Sequence, residues 1–328
     1  MGEKEYVVGV DVGGTWTRAV LLNIKSNSAE KIKEKVDARY DTAISGQIIK
    51  MIHTLCQRSG IDPSSLEGIG IASAGPLDVK EGALIRPTNL PFEYVSLVKP
   101  IKKKLNVPVY LVNDCTAAVL GEKEFGGGKG ISNLFYVAIG TGIGGGAIVD
   151  DHLLIGKDGN AVEIGHFTID YEGKLVCGCG RRGHWEAYCS GRNIPHFVEL
   201  RMKEMGKTAI ESSLIFGEIG GNISMLSSEI LFEAAKNGDH LSLQFIGEIG
   251  VLNAIGFANV VNAYDPALIL VGGTVALKNT ELVLPYIRKY ITDYALNRIP
   301  EINITPLGDD VGVYGGIAAV LRFANPSR

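Results

Sequence analysis

YVVGVDVGGT, residues 6–15, is the stretch on which the fold turns. An apolar strand runs into two glycines and a threonine, and WTRAVLLNI then carries the chain back as a second strand. The design returns once. LFYVAIG, residues 134–140, is an apolar strand, TGIGGG is a turn, and AIVDDHLLI, residues 147–155, is a returning strand. The two stretches share little identity, but a glycine-tipped hairpin near the start of each half marks a structural duplication.

GTGIGG, residues 140–145, also fits G-x-G-x-x-G. That dinucleotide fingerprint needs a helix after the glycines, so that the helix N-terminus faces the pyrophosphate. AIVDDHLLI is strand-like and carries no helical stripe. There is no G-x-x-x-x-G-K-[ST] loop either. Glycine turns can simply end hairpins. Two of them, each with a threonine (Thr15, Thr141) and one preceded by Asp11, fit a phosphate clamp instead. Backbone N–H groups of two facing turns can close on the β- and γ-phosphates of ATP. A carboxylate facing phosphates is tolerable only with a cation between them, so Asp11 is placed to hold Mg²⁺ through water.

Outward from these turns, Ile44, Ile48, Ile52 and Leu55 share one helical face, and Ser59-Gly60 closes that helix. LEGIGIASAGP and VPVYLV read as buried strands, the second ending at Asn113-Asp114, with a helix from Thr116 to about Glu124. Helical patterns follow at 196–205, 228–236 and 240–263. ALILVGG is a short strand before a helix at 281–295, and YGGIAAVLRF is a last helix.

With 328 residues, 46% of them hydrophobic and 21% charged, the chain reads as two globular domains. A net charge of −4 gives no reason to expect nucleic acid. The 42 glycines are close to double the usual share of about 7%. MGEKEYVVGV lacks the basic start and apolar run expected of a signal peptide, and the uncharged run from Leu134 to Val149 is short of the ~20 residues of a membrane span. Five unevenly spread cysteines do not form a secreted disulfide framework. These features describe a cytoplasmic protein without a membrane partner.

CGCGRRGHWE, residues 177–186, admits three readings: a metal site, a disulfide, or a glycine-rich loop. Cys177 and Cys179 are too close for an easy bridge to each other, although Cys189 or a more distant thiol could partner either.

Asp11-Val12-Gly13-Gly14-Thr15, Asn113-Asp114, Gly140-Thr141-Gly142-Ile143-Gly144 and Leu270-Val271-Gly272-Gly273 resemble, in that order, the ROK family of sugar kinases and sugar-responsive repressors. The resemblance covers nearly the whole chain. It implies an α/β, actin-like ATPase (ribonuclease H-like) fold, with two βββαβα-type domains and a cleft between them. The domains would be 1–114 with about 312–328, and 115–311. Gly13, Gly14, Thr15, Thr141 and Gly142 would bind phosphate, and Gly272 and Gly273 would line the adenosine pocket. Asp114 maps onto the family's catalytic base, although Asn-Asp before TAAVLGE is also a good helix start in its own right.

By the same resemblance Asn89 and Asn113 contact the sugar. The window AVEIGHFTIDYEGKLVCGCGRRGHWEAYCSG is similar to the family signature. By position, Glu163, His166 and Glu186 become sugar contacts, while His166, Cys177, Cys179 and His184 become zinc ligands. His184 stands where the family usually has a third cysteine, and imidazole suits zinc. The zinc would be structural, with His166 turning one nitrogen to the metal and the other to the sugar.

The activity implied is transfer of the ATP γ-phosphoryl, with Mg²⁺, to a hexose, glucose foremost. N-acetylhexosamines, mannose and fructose are alternative acceptors, and polyphosphate an alternative donor. A sugar-responsive ROK protein without enzyme activity and an actin-like ATPase are the rival classes. By analogy the assembly is a homodimer.

Overall fold

The computed structural model describes residues 4–87, 90–205 and 213–324. The opening hairpin forms as the sequence predicts. β1 (Tyr6–Val12) and β2 (Trp16–Asn23) are antiparallel, and β3 (Ala29–Lys35) continues on β2. β4 (Leu66–Ser73) lies parallel on the other side of β1. β5 (Leu77–Asp78), β6 (Ala83–Ile85) and β7 (Tyr94–Ser96) make a small antiparallel sheet. β8 (Val109–Asn113) pairs in parallel with β4 and completes the order β3-β2-β1-β4-β8.

Period-two alternation assigns the faces of this sheet. Val8, Val10, Val12 and Leu21 join Ile44, Ile48 and Ile52 of α1 (Ala43–Arg58) and Ile101 and Leu105 of α2 (Val98–Leu105) in one core. Val7, Val20 and Leu22 pack instead on Val313, Ile317 and Val320 of the C-terminal helix (Val311–Ala324). The seat of that helix is close enough to require glycine. A Cβ on Gly70 would stand 1.8 Å from the Gly316 carbonyl oxygen.

The C-terminal helix also packs on α3 (Asp114–Glu124), and this sets the division of the chain. One compact unit comprises Met1–Leu134, Gly146–Val162 and Thr305–Arg328, and the other Phe135–Gly145 and Glu163–Ile304. The first unit therefore runs past the expected boundary at 114, because α3 buries its length against that helix.

A second five-stranded sheet has the order β11-β10-β9-β12-β13, formed by β9 (Leu134–Ile139), β10 (Ile143–Val149), β11 (His152–Leu153), β12 (Leu268–Gly272) and β13 (Glu301–Ile304). Here the sequence reading is corrected. The turn is only Gly140-Thr141-Gly142, and Gly144 to Gly146 are already strand. AIVDDHLLI is not one strand, because Asp150 and Asp151 adopt φ of 49° and 63° and fold the chain back after Val149. Aspartate tolerates that left-handed region better than most side chains.

The helices of the second unit are α4 (Glu186–Cys189), α5 (Ile194–Glu204), α6 (Leu214–Glu218), α7 (Ser228–Lys236), α8 (His240–Tyr264), α9 (Thr274–Lys278) and α10 (Thr280–Tyr290). The helix expected to 295 stops at Tyr290 and ends in a 3₁₀ turn, Ile291–Asp293. Among the described residues α8 alone is long and apolar enough to cross a membrane, but most of it is buried. Phe245, Phe257 and Val261 are core, and Asn253 accepts the Trp185 indole N–H at 2.9 Å. Trp185 is thereby a fully buried core residue.

Candidate active site

The candidate residues fall into two groups, one in each unit. In the first, the β1–β2 tip is closed by the Gly13 N–H donating to the Trp16 carbonyl at 3.0 Å, which leaves Gly14 and Thr15 exposed. Asp11 opposes Arg18 in the hairpin register, and an Arg18 guanidinium N–H donates to Asp11 Oδ2 at 2.9 Å. The first turn of the C-terminal helix lies over this carboxylate, since a Cβ on Gly312 would stand 2.8 Å from Asp11 Cγ. Burial pushes the Asp11 carboxyl up to about 6 against the opposing pull of Arg18, with Asp114 and Asp309 adding to the rise. Arg18 and Gly312 are site residues that the motif reading passes over. Counting outward from the tip places Arg18 across from Asp11, so the first was available from register alone.

The strand-to-helix junction assigns the cap of α3 to Asn113. Asn113 is the N-cap of α3, its side chain accepting from the backbone N–H groups of Cys115 and Thr116 at 2.9 and 3.2 Å. Asp114, the first residue of α3, shares only the Cys115 N–H with that cap. Its Oδ1 accepts from the Cys115 N–H at 2.8 Å, and burial raises its pKa from the ordinary carboxylate value against the opposing hydrogen bonds from Cys115 and Asn113. A carboxylate held this way is a stronger base than a solvated one. Asn89 lies outside the described residues.

In the second unit, the turn at Thr141 and Gly142 is pinned by its surroundings. The Gly191 N–H donates to the Gly140 carbonyl at 2.8 Å, and the Ile143 N–H donates to Glu186 Oε2 at 2.9 Å. The motif at the end of β12 meets the same turn: a Cβ on Gly140 would lie 3.5 Å from Thr274 N and 3.7 Å from Gly273 Cα. Gly272 closes β12, and Gly273 enters α9 at φ 86°, which favours glycine. Phosphate-turn and adenosine-motif candidates are therefore neighbours.

Glu163 and His166 flank a single 3₁₀ turn, Ile164–His166. The glycine of E-x-G-H is obligatory there, since a Cβ on Gly165 would be 2.1 Å from the Ile143 carbonyl oxygen. His166 is split between two neighbours. Its Nε2 is 3.9 Å from Glu163 Oε2, while its Nδ1 is 3.2 Å from His184 Nδ1 and 3.7 Å from Cys177 Sγ. Cys179 Sγ is 3.3 Å from His184 Nδ1, and the four donor atoms lie within 4.8 Å of one another. Zinc at about 2.0–2.1 Å from nitrogen and about 2.3 Å from sulfur sets tetrahedral donor separations of roughly 3.3–3.8 Å. The spacings of 3.2, 3.3 and 3.7 Å are close to that range within a set that spans up to 4.8 Å, and two imidazoles with two thiolates are a donor combination zinc accepts.

None of the five cysteines is in a disulfide. Burial pushes the Cys177 thiol up to about 12 and the His184 imidazole below its usual value, so only a cation would hold Cys177 as thiolate. The loop is braced from behind by Asp170, which accepts from the Tyr188 hydroxyl and from the Glu172 and Lys174 N–H groups. Glu186 joins the two parts of this half-site: Oε2 holds the Ile143 N–H and Oε1 accepts from the Cys177 thiol at 3.5 Å.

The model of the ROK family matches residues 7–322. The chain belongs to the ROK family. Over 319 residues this ROK protein is 34% identical to a glucokinase of Pyrobaculum calidifontis, covering 97% of this chain and 95% of that one. A glucokinase of Aeropyrum pernix is 35% identical over 325 residues, with 98% and 97% covered. The crystal structure of a ROK glucokinase from Streptomyces griseus in complex with glucose and AMPPNP superimposes with a TM-score of 0.75 at 28% identity, covering 96% of this chain and 98% of that one. The actin-like ATPase fold is thereby established for this ROK chain.

Proposed function

We propose that this protein is an ATP- and Mg²⁺-dependent glucokinase. Asp114 accepts the proton of the attacking glucose hydroxyl while that oxygen takes the γ-phosphoryl group, giving glucose 6-phosphate and ADP. The observation that carries the reading is Asp114 itself: buried, raised in pKa, and next to the Asn113 cap at the end of β8. Phosphoryl transfer asks little covalent work of a protein beyond positioning, charge neutralisation and one proton acceptor. The glucokinase relatives name the acceptor.

In this reading Asn89, Asn113, Glu163, His166 and Glu186 hold the sugar. Each Glu186 oxygen, though already accepting one bond, keeps a further lone pair for a sugar hydroxyl. Gly13, Gly14, Thr15, Thr141 and Gly142 receive the phosphates, and Gly272 and Gly273 the adenosine. Mg²⁺ supplies charge neutralisation of the phosphates, and Asp11 holds it through water. Zinc on His166, Cys177, Cys179 and His184 fixes the loop. The reading requires both half-sites to act on one sugar and one nucleotide, and the expected assembly is a cytoplasmic homodimer.

The deciding experiment is ADP release with Mg-ATP across glucose, mannose, fructose and N-acetylhexosamines. Glucose-dependent release with the highest kcat/KM is expected. No stimulation by any sugar, with nucleotide still bound, overturns the kinase, and a larger kcat/KM for another sugar reassigns the acceptor.

Asp11 adds a pH dependence. Its raised pKa means that it gains a proton as pH falls through about 6, and the protonated form cannot hold the cation. At limiting Mg²⁺, kcat/KM for ATP should fall about tenfold per unit below that pH. Because Mg²⁺ favours the ionised form, raising its concentration should move the limb to lower pH. A limb indifferent to Mg²⁺ removes Asp11 from the metal role.

A further inference from the structure

The first unit contains a cavity of about 260 Å³ that shares only Asn113 with the candidate site. It lies along β8, the last strand in its sheet order, and follows that strand from Val109 to Asn113. Val98, Leu111, Val112, Ile155 and Phe323 give it an apolar wall. Asn113 is the one candidate site residue that borders it, and Asp114 does not.

Two features show what the cavity would take. Thr116 lines it, is 4% exposed, and its hydroxyl has no hydrogen-bond partner among the described residues. A buried hydroxyl left unpaired is costly, and a ligand hydroxyl would satisfy it. At the rim stands Lys80, exposed, whose ammonium has no carboxylate partner among the described residues. Its acidic neighbours are engaged elsewhere: Glu81 pairs with Lys99, and Asp78 Oδ1 accepts the backbone N–H groups of Lys80 and Glu81. Size limits the body between these ends. An apolar cavity of about 150 Å³ holds one benzene ring, so this volume takes a ring with a two- or three-atom arm.

We propose that this cavity is a second ligand site, separate from the sugar and nucleotide half-sites, for a small aromatic carboxylate bearing a ring hydroxyl. The ring packs on Val98, Leu111 and Ile155, the phenolic end reaches Thr116, and the carboxylate faces Lys80. Asn113, which forms part of the wall, also caps α3, so an occupant bears on the turn that presents Asp114 without touching that carboxylate.

The test is isothermal titration of the full chain with 4-hydroxyphenylacetate, with glucose and a non-hydrolysable ATP analogue saturating. Those additions keep the probe out of the sugar and nucleotide sites, and the binding readout does not depend on the kinase reading. One saturable site per chain is expected. Phenylacetate, which lacks the hydroxyl, and Thr116→Val should each weaken binding about three- to tenfold. The neutral amide of the probe and Lys80→Gln should each weaken it about two- to fivefold, the range of an exposed pair. Val98→Trp should abolish binding by filling the cavity. Val79→Trp, at an exposed rim position that leaves the core untouched, should weaken it where Val98→Trp disturbs the fold. No saturable binding at about 10 mM probe, above the weakest affinities worth calling specific, overturns the proposal. Binding that neither tryptophan nor Thr116→Val alters does so equally.

Discussion

Asp114→Asn is expected to lower kcat about 10²–10⁴-fold while leaving the KM for glucose little changed. Asparagine matches the shape of aspartate and keeps an oxygen for the Cys115 N–H that Asp114 Oδ1 now accepts at 2.8 Å, so the first turn of α3 stays intact. The lost property is the ability to take a proton from the sugar hydroxyl. Asn113→Ala is the informative contrast. It removes the acceptor of two backbone N–H groups, costs about 1 kcal/mol of stability, and should show as a lower melting temperature with a raised KM for glucose, which Asn113 also holds, and not as the kcat loss of Asp114→Asn. If Asp114 were merely a helix-start residue, the two substitutions would both act on stability and kcat would follow. Near-wild-type kcat in Asp114→Asn, with the fold intact, excludes it as the base.

The fold is legible in the sequence wherever glycine turns interrupt apolar runs. DVGGT gives the first hairpin, and the alternation in YVVGVDV sorts Val7 and Val8 onto opposite faces of one sheet. Legibility fails where a long-range contact decides. Glycines 144–146 read as turn but are strand. The boundary at 114 follows the motif order, whereas α3 belongs with the helix it packs on, nearly two hundred residues later.

The site divides the same way. Asp11 and Asp114 stand out by residue type, beside a glycine turn and at a strand end, whereas Glu163 and the ligand set of the Cys/His loop are reached only through the resemblance to the ROK signature. Arg18 is hidden only until the hairpin register is counted. The bond from the Ile143 N–H to Glu186 spans 43 residues of chain and leaves no local pattern, so the bracing of the proposed phosphate turn by the proposed sugar-contact glutamate could not be read beforehand. The cavity along β8 is invisible for the same reason, being assembled from segments between Val79 and Phe323.

That bracing makes the outcome of metal removal specific. The protein should purify with one zinc per chain, and stripping it should lower kcat/KM about 10–100-fold, the usual cost of unseating a metal-organised shell. The loss should not be confined to glucose. Without a cation, Cys177 is a neutral thiol that donates to Glu186 Oε1; a zinc-bound thiolate cannot, so stripping the metal re-partners Glu186, whose other oxygen holds the Ile143 N–H beside Thr141 and Gly142. The KM for Mg-ATP should therefore rise together with that for glucose. A structural site also contributes folding energy, so the melting temperature should fall on chelation.

His184 supplies the sharpest comparison. His184→Cys restores the family's third cysteine and should keep both zinc and activity, because Cys₃His is an equally sound tetrahedral set. His184→Ala removes a donor and should behave like the stripped enzyme. Full activity and unchanged stability after metal analysis confirms complete removal would reduce the cluster to a hydrogen-bonded loop. In that case His166 is positioned by the Ile164–His166 turn and the Gly165 contact alone.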